Sequence, residues 1–287
     1  MAERHEAGVH PDAGARAGGA LVIVGGHEDR KGEKRILREI LRRAGSRRVV
    51  IATLASEVKD ELWAEYERAF RDLQAEDVVH LAIESREEAS DARHLERLDG
   101  AGCVFFTGGD QLKITSKLGG TPVAHAIARI HRQGGVIAGT SAGASVMSET
   151  MLVSGHGEES PKVRGALRMA PGLGFVRGVV VDQHFAERGR LGRLLAAVAH
   201  NPQNLGVGID EDTAVIFEEE RRFSVLGAGS VTIVDARGMT YTNLCADDDD
   251  RAMSLFDVRL HMLGEGDELD LASGRPSVGR TSEACSE

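Results

Sequence analysis

The sequence has few aromatic residues, little cysteine and no excess of positive charge, and each shortage removes a class of protein. Trp, Tyr and Phe make up 4% of the 287 residues against 35 glycines, a balance that fits many tight strand-to-helix turns better than an aromatic-rich β sandwich. The three cysteines, Cys103, Cys245 and Cys285, are odd in number and far apart. They form neither a disulfide framework nor a metal-ligand pattern, so a reducing compartment is expected. Lys and Arg number 35 against 45 Asp and Glu, a net charge of −10, and no basic stripe suits a nucleic acid or an anionic membrane. No apolar run approaches about eighteen residues, and the opening MAERHEAGVHPDAGARAG lacks the apolar core of a signal peptide. The expectation is a cytoplasmic protein with no membrane or nucleic-acid partner.

What is present is a βαβ texture. From Ala20 onward, ALVIV, RRVVIATL, DVVHLAI, CVFFTGGD and GVIAG alternate with segments of helical period such as EKRILREILRRA and ELWAEYERAFRDL. Strands of a parallel sheet buried on both faces should read as unbroken apolar runs, and these do. RGVVVDQHF continues the pattern, followed by a helix over Leu191–His200 that Pro202 ends. RRFSVLGAGSVTIVDARGMTYTNL then reads as antiparallel hairpins closing one edge of the sheet. The fold class expected is α/β, a mostly parallel sheet with a β-rich C-terminal extension, in one domain over residues 19–272. Residues 1–18 and 273–287 read as disordered tails, and DDDD at 247–250 as a solvated loop.

Gly139-Thr140-Ser141-Ala142-Gly143 is a GxSxG sequence between a predicted strand and a predicted helix. In a nucleophile elbow the chain turns so sharply that the serine takes strained backbone angles, and residues two before and two after it must be small. Gly139 and Gly143 satisfy this. Such a turn lifts the Ser141 hydroxyl above the C-terminal edge of the sheet and makes the Ala142 N–H the natural first oxyanion donor. The same letters also fit a plain β-to-α turn or a weak phosphate loop.

A nucleophilic serine needs a base, and the base an orienting acceptor. His184 follows the apolar strand GVVVD directly, at the strand end where sites of open parallel sheets collect; a packing or capping role is the alternative. His5 and His10 lie in the expected tail, and His94, His125, His131 and His200 in helical segments. For the acid, GIDEDTA offers Asp210, Glu211 and Asp212, and alternation separates Glu211 from its neighbours without saying which points inward. Asp182 competes. In FFTGGDQ, Gly108 and Gly109 can bring a second oxyanion donor, while Asp110 and Gln111 can bind substrate or cap the next helix. ERGRLGRLL clusters Arg188, Arg190 and Arg193, suited to carboxylates or to a solvated helix start.

Taken together, FFTGGDQ, GTSAGAS, DQHFAERGRLGRL and GIDEDTA closely resemble the cyanophycinases, in the serine peptidase family that also contains aspartyl dipeptidase (peptidase E), over roughly Gly19 to Ser277. The resemblance implies a class I glutamine-amidotransferase-like three-layer sandwich, commonly dimeric. It also implies hydrolysis of cyanophycin, a poly-aspartate whose side-chain carboxyls carry arginine, to β-aspartyl-arginine through an acyl-enzyme, with no cofactor or metal. Position by position, Ser141 matches the nucleophile, His184 the base and Glu211 the acid. Gln111, Asp182, Gln183, Arg188, Arg190 and Arg193 match residues lining the substrate pocket. On this mechanism the amides of Ala142 and Gly109 hold the oxyanion.

Two rivals accompany this reading. One is an aspartyl dipeptidase for short Asp-X peptides, although that branch is shorter and lacks the full DQHF…RGRLGRL segment. The other is a non-catalytic amidotransferase-like binding module that keeps the elbow as a fold element. A nucleotide-binding domain ranks low because VIVGGHEDRKGEKRIL lacks GxGxxG.

Overall fold

The β-branched runs form strands β1 (Leu21–Val24), β2 (Arg48–Ala52), β3 (Val78–Leu81), β4 (Ala101–Phe106) and β5 (Val136–Thr140). All five are parallel and lie in the order β1-β5-β4-β2-β3 at the centre and one side of a nine-stranded sheet. The computed structural model describes residues 18–45, 47–154, 167–219, 221–244 and 251–279. The rest of the expected tails, Cys245, Cys285 and the run at 247–250 lie outside the described residues.

Helices α1 (Arg35–Ala44), α2 (Lys59–Asp72), α3 (Ala92–Leu98), α4 (Gln111–Leu118), α5 (Pro122–Arg132) and α6 (Ala142–Ser145) lie between or after these strands. Their starts follow local chemistry. The Asp91, Asp110 and Thr121 side chains accept from the backbone N–H of Arg93, Leu112 and Ala124, and Pro122 occupies the first turn of α5. Alternation along β1 sends Val22 and Val24 into a core with Ile36, Leu37 and Phe70 of α1 and α2. Leu21 and Ile23 enter the opposite core, with Ile114 of α4 and Ile127 of α5. Both faces are covered, so an unbroken apolar run is stable here; each fully buried Val, Leu or Ile contributes about 1.5–3 kcal/mol relative to exposure.

Beyond β5 the chain makes the hairpin β6 (Thr150–Ser154) and β7 (Arg168–Pro171), then β8 (Val179–Gln183), α7 (Leu191–His200) and β9 (Leu205–Ile209). Parallel β8 and β9 found a second, four-stranded sheet. Its Val181, Val207 and Ile209 share the core of Leu21 and Ile23, while α7 covers its other face through Leu194 and Val198 against Val180.

The expected single hairpin layer is divided between the two sheets. Strands β10 (Thr213–Glu219) and β11 (Arg222–Gly227) pair antiparallel beside β1, whereas β12 (Val231–Asp235) crosses to pair with β9. Burial explains the division. β11 alternates between buried and less buried positions, as a peripheral strand can, but β12 is buried throughout and needs cover on both faces. After the short pair β13 (Tyr241–Thr242) and β14 (Leu255–Phe256), β15 (Arg259–Leu263) joins β12. β16 (Glu268–Asp270) and β17 (Arg275–Ser277) extend the large sheet beyond β11. The tail expected from residue 273 therefore contains a strand; its exposed side chains carry no hydrophobic period, and backbone pairing alone orders it. The whole is a mixed α/β fold with a large central sheet that is parallel from β1 through β3 and antiparallel from β10 outward.

Candidate active site

The C-terminal ends of β1, β4, β5, β8 and β9 converge, as open parallel sheets require of a site. Ser141 follows β5 with φ +53° and ψ −114°, outside the ordinary regions for a residue with a side chain. The flanking glycines are sterically required: a Cβ on Gly139 would stand 2.3 Å from the Gly143 carbonyl oxygen, and one on Gly143 2.3 Å from that of Phe106. The Ser141 N–H donates to Val24 O at 3.1 Å, and its carbonyl accepts from Ala144 and Ser145. Ala142 opens α6, so its N–H has no intrahelical acceptor.

His184 Nε2 lies 3.0 Å from Ser141 Oγ, and its Nδ1 lies 2.5 Å from Glu211 Oε1. The loop after β1 fixes this line. Gly25 O accepts from the His184 N–H at 2.7 Å, Gly26 O from the Asp212 N–H at 2.8 Å, and Asp212 Oδ1 from the Asp29 N–H at 2.9 Å. Those bonds decide among the three acids of GIDEDTA. Asp210 turns back to accept from Ala186 N and from Ser230 N and Oγ, Asp212 serves Asp29, and Glu211 reaches the imidazole. Burial lowers the His184 pKa below its ordinary 6.5, outweighing the Glu211 hydrogen bond that favours the charged ring; the Arg188 charge adds to the lowering. Burial would raise the Glu211 carboxyl, but hydrogen bonds from His184 and from His27 hold it below its ordinary value.

Two contributors escaped the sequence reading. Buried Glu28 accepts from the Tyr66 hydroxyl and, at 2.5 Å, from Thr140 Oγ1, so it braces the residue before Ser141. Burial and the neighbouring Glu28 charge push the Tyr66 phenol well above its usual range. His27 Nδ1 lies 2.7 Å from Glu211 Oε2. Both residues sit in VIVGGHEDRKGEKRIL, weighed from sequence only for nucleotide binding; their place just after a Gly-Gly strand end was the one available signal.

A cleft of 510 Å³ opens beside Ser141, lined among others by Gly108, Gly109, Gln111, Gln183 and the three arginines of the 188–193 segment. Gly108 presents bare backbone to the serine, since a Cβ there would lie 3.4 Å from Ser141 Cβ. Gly109, at φ +137°, packs on Ala55, whose carbonyl a Cβ would approach to 2.3 Å. Asp110 takes the capping alternative, and Gln111 Nε2 donates to Leu152 O at 2.8 Å. Arg190 and Arg193 are 9% and 8% exposed, which rules out a solvated helix start.

Asp182 differs from both roles expected of it. It is 1% exposed and its carboxylate is gripped by the Arg193 fork, with Nε–Oδ2 at 2.6 Å, and by Arg190 at 3.2 Å. It therefore neither orients His184 nor presents free oxygens to a substrate; it anchors the arginines that line the cleft. Burial draws the Arg190 guanidinium down to about 10. Gln183 also lines the cleft, with its Oε1 buried and without a hydrogen-bond partner.

A hydroxyl on a strained turn, an imidazole and a carboxylate joined in one hydrogen-bonded line at the edge of an α/β sheet define a site of the serine-hydrolase class. The chain belongs to peptidase family S51, whose family model matches residues 20–225, and it is a serine-type peptidase. It is 40% identical over 252 residues to a cyanophycinase of Synechococcus elongatus, covering 87% of this chain and 78% of the relative. With a cyanophycinase of Geminocystis herdmanii (strain PCC 6308) it shares 37% identity over 266 residues, 91% and 96% of the two chains. The crystal structure of a peptidase from an acI-B1 actinobacterium matches in fold, with TM-score 0.66, 21% identity and coverage of 89% and 98%.

Proposed function

We propose that this chain is a cyanophycin-degrading serine peptidase in which Ser141, His184 and Glu211 form the catalytic triad. The observation that carries the reading is the line from Ser141 Oγ through His184 to Glu211, at 3.0 and 2.5 Å, opening onto an arginine-lined cleft. His184 Nε2 takes the Ser141 proton as Oγ attacks an aspartyl backbone carbonyl, and Glu211 Oε1 accepts a hydrogen bond from the Nδ1–H and stabilises the imidazolium. The amides of Ala142 and Gly109 are the proposed oxyanion donors. His184 then protonates the leaving amine and activates the water that hydrolyses the ester.

The cleft chemistry supports an acidic substrate. Arg188, Arg190 and Arg193 supply donors for the free carboxylates of aspartyl-arginine units, and Gln183 and Gln111 complete the wall. Since Asp182 is occupied, its part is to hold Arg190 and Arg193 toward the substrate. The finer architecture proposed is the class I glutamine-amidotransferase-like sandwich, in one domain over residues 19–272, acting as a cytoplasmic homodimer; light scattering on the purified protein tests the last point. Among the described residues no helix is long and apolar enough to cross a membrane.

Incubation with insoluble cyanophycin and, in parallel, with Asp-X dipeptides tests the substrate. Mass spectrometry is expected to find β-aspartyl-arginine released from the polymer at a kcat/KM at least tenfold above that for the dipeptides. Hydrolysis confined to dipeptides would replace this reading with the dipeptidase one.

A further inference from the structure

Glu211 is shared between two imidazoles. His184 Nδ1 lies 2.5 Å from Oε1 and His27 Nδ1 lies 2.7 Å from Oε2. The two rings meet edge to face with centroids 5.0 Å apart. Among the described residues, His27, His184 and Glu211 form the one cluster whose His, Cys, Asp or Glu ligand atoms converge, all within 4.8 Å of one another. The His27 side chain is 67% exposed, so the cluster is open to solvent on that side. His27 also takes φ +48°, a left-handed conformation uncommon for a residue with a Cβ.

We propose that His27, His184 and Glu211 form an inhibitory binding site for a divalent transition metal, with zinc the best match. Two imidazole nitrogens and one carboxylate oxygen, with a fourth position open to water, are the donor set and count of an open zinc site. Zinc–ligand distances of about 2.0–2.2 Å place tetrahedral ligand atoms about 3.3 Å apart, so the carboxylate has to withdraw by less than about 1 Å from its present hydrogen bonds while the exposed His27 ring swings in to close a widest ligand separation of up to 4.8 Å. Glu211 brings one negative charge. Glu187, which accepts from the Glu211 N–H, favours the cation, and the nearby Arg188 opposes it.

Binding stops the triad through a tautomer change. In the working enzyme the His184 proton sits on Nδ1, facing Glu211, and Nε2 keeps the lone pair that accepts from Ser141. Coordination uses the Nδ1 lone pair of each imidazole, so the Nδ1 proton of His184, and that of His27, which also faces Glu211, each move to Nε2 through solvent, with no net proton gained or lost by a neutral ring. His184 Nε2 then faces Ser141 Oγ as a donor and cannot take its proton. Chelation of the ion restores the first tautomer, so the inhibition is reversible.

The consequence for activity rests on the triad reading, but metal binding does not, and the experiment separates them. Zinc titrated calorimetrically into the Ser141→Ala protein is expected to bind one ion per chain, and adding His27→Gln is expected to weaken it at least tenfold. Gln keeps a side-chain N–H for Glu211 while removing the imidazole ligand, so a merely orienting His27 would leave the titration unchanged. In the active protein, micromolar zinc is expected to stop polymer hydrolysis and EDTA to restore it. His27→Gln, scored against its own metal-free rate, is expected to need at least tenfold more zinc. Anomalous diffraction from zinc-soaked wild-type crystals is expected to put the ion on all three side chains, and this stands even if the variant fails to fold. No binding to the Ser141→Ala protein, equal binding or inhibition with His27→Gln, or an ion on other side chains would each overturn the proposal.

Discussion

The His184 imidazole rests directly on Gly26: a Cβ added there would stand 2.2 Å from His184 Cε1, on a backbone already at φ +111°. The ring is thus held by a wall that tolerates no side chain. Gly26→Ala is expected to displace the ring by a fraction of an ångström to an ångström and to lower kcat/KM about 100-fold, the scale of loss for such misplacement. Steady-state kinetics on the polymer check this; a loss under twofold would mean that the ring is not positioned by this contact.

The pH profile follows from the surroundings of His184. On the proposed mechanism the neutral ring is the competent base, so the rate rises with pH through its pKa, and burial followed by the Arg188 charge lowers that pKa from 6.5. The acidic limb of kcat/KM is expected below pH 6.5. Arg188→Gln removes a positive charge that disfavours imidazolium, so the limb should move up in pH, with KM rising as the cleft loses a carboxylate donor. A limb unchanged by Arg188→Gln would refute this electrostatic coupling.

Asp182 and Arg193 make a buried pair whose two halves need each other. Arg193→Met leaves the buried carboxylate with Arg190 as its one remaining charged partner and strips both Arg193 hydrogen bonds, at a cost of about 1–3 kcal/mol. Urea denaturation should register that loss, whereas Arg188→Gln should change stability by no more than about 0.5 kcal/mol. Equal stabilities for the two variants would contradict the anchoring role given to Asp182.

Much of the site was legible because chemistry in this fold gathers at strand ends. Ser141 was marked by small residues that the coordinates justify atom by atom, and His184 by its place directly after an apolar strand. Glu211 could not be separated from Asp210 and Asp212 by alternation, since backbone bonds from a loop nearly 200 residues earlier make the choice. Asp182 was misjudged for a related reason: from sequence, a carboxylate near arginines reads equally as a substrate contact or as their anchor, and burial alone decides. His27 and Glu28 lie in VIVGGHEDRKGEKRIL, where no catalytic spacing marks them. The crossing of β12 into the second sheet was hidden because a continuous apolar strand says that it is covered, not by which sheet.

The central claim is that one hydroxyl does the chemistry, and a serine-directed phosphonate tests it most directly. Peptide mass spectrometry after labelling is expected to find the adduct on Ser141, rising in step with loss of cyanophycin hydrolysis, while Ser141→Ala takes no label and loses activity by about 10³-fold or more. A Ser141→Ala protein that still hydrolyses the polymer at a rate near wild type, or inactivation by the reagent with the adduct on another residue, would contradict the account.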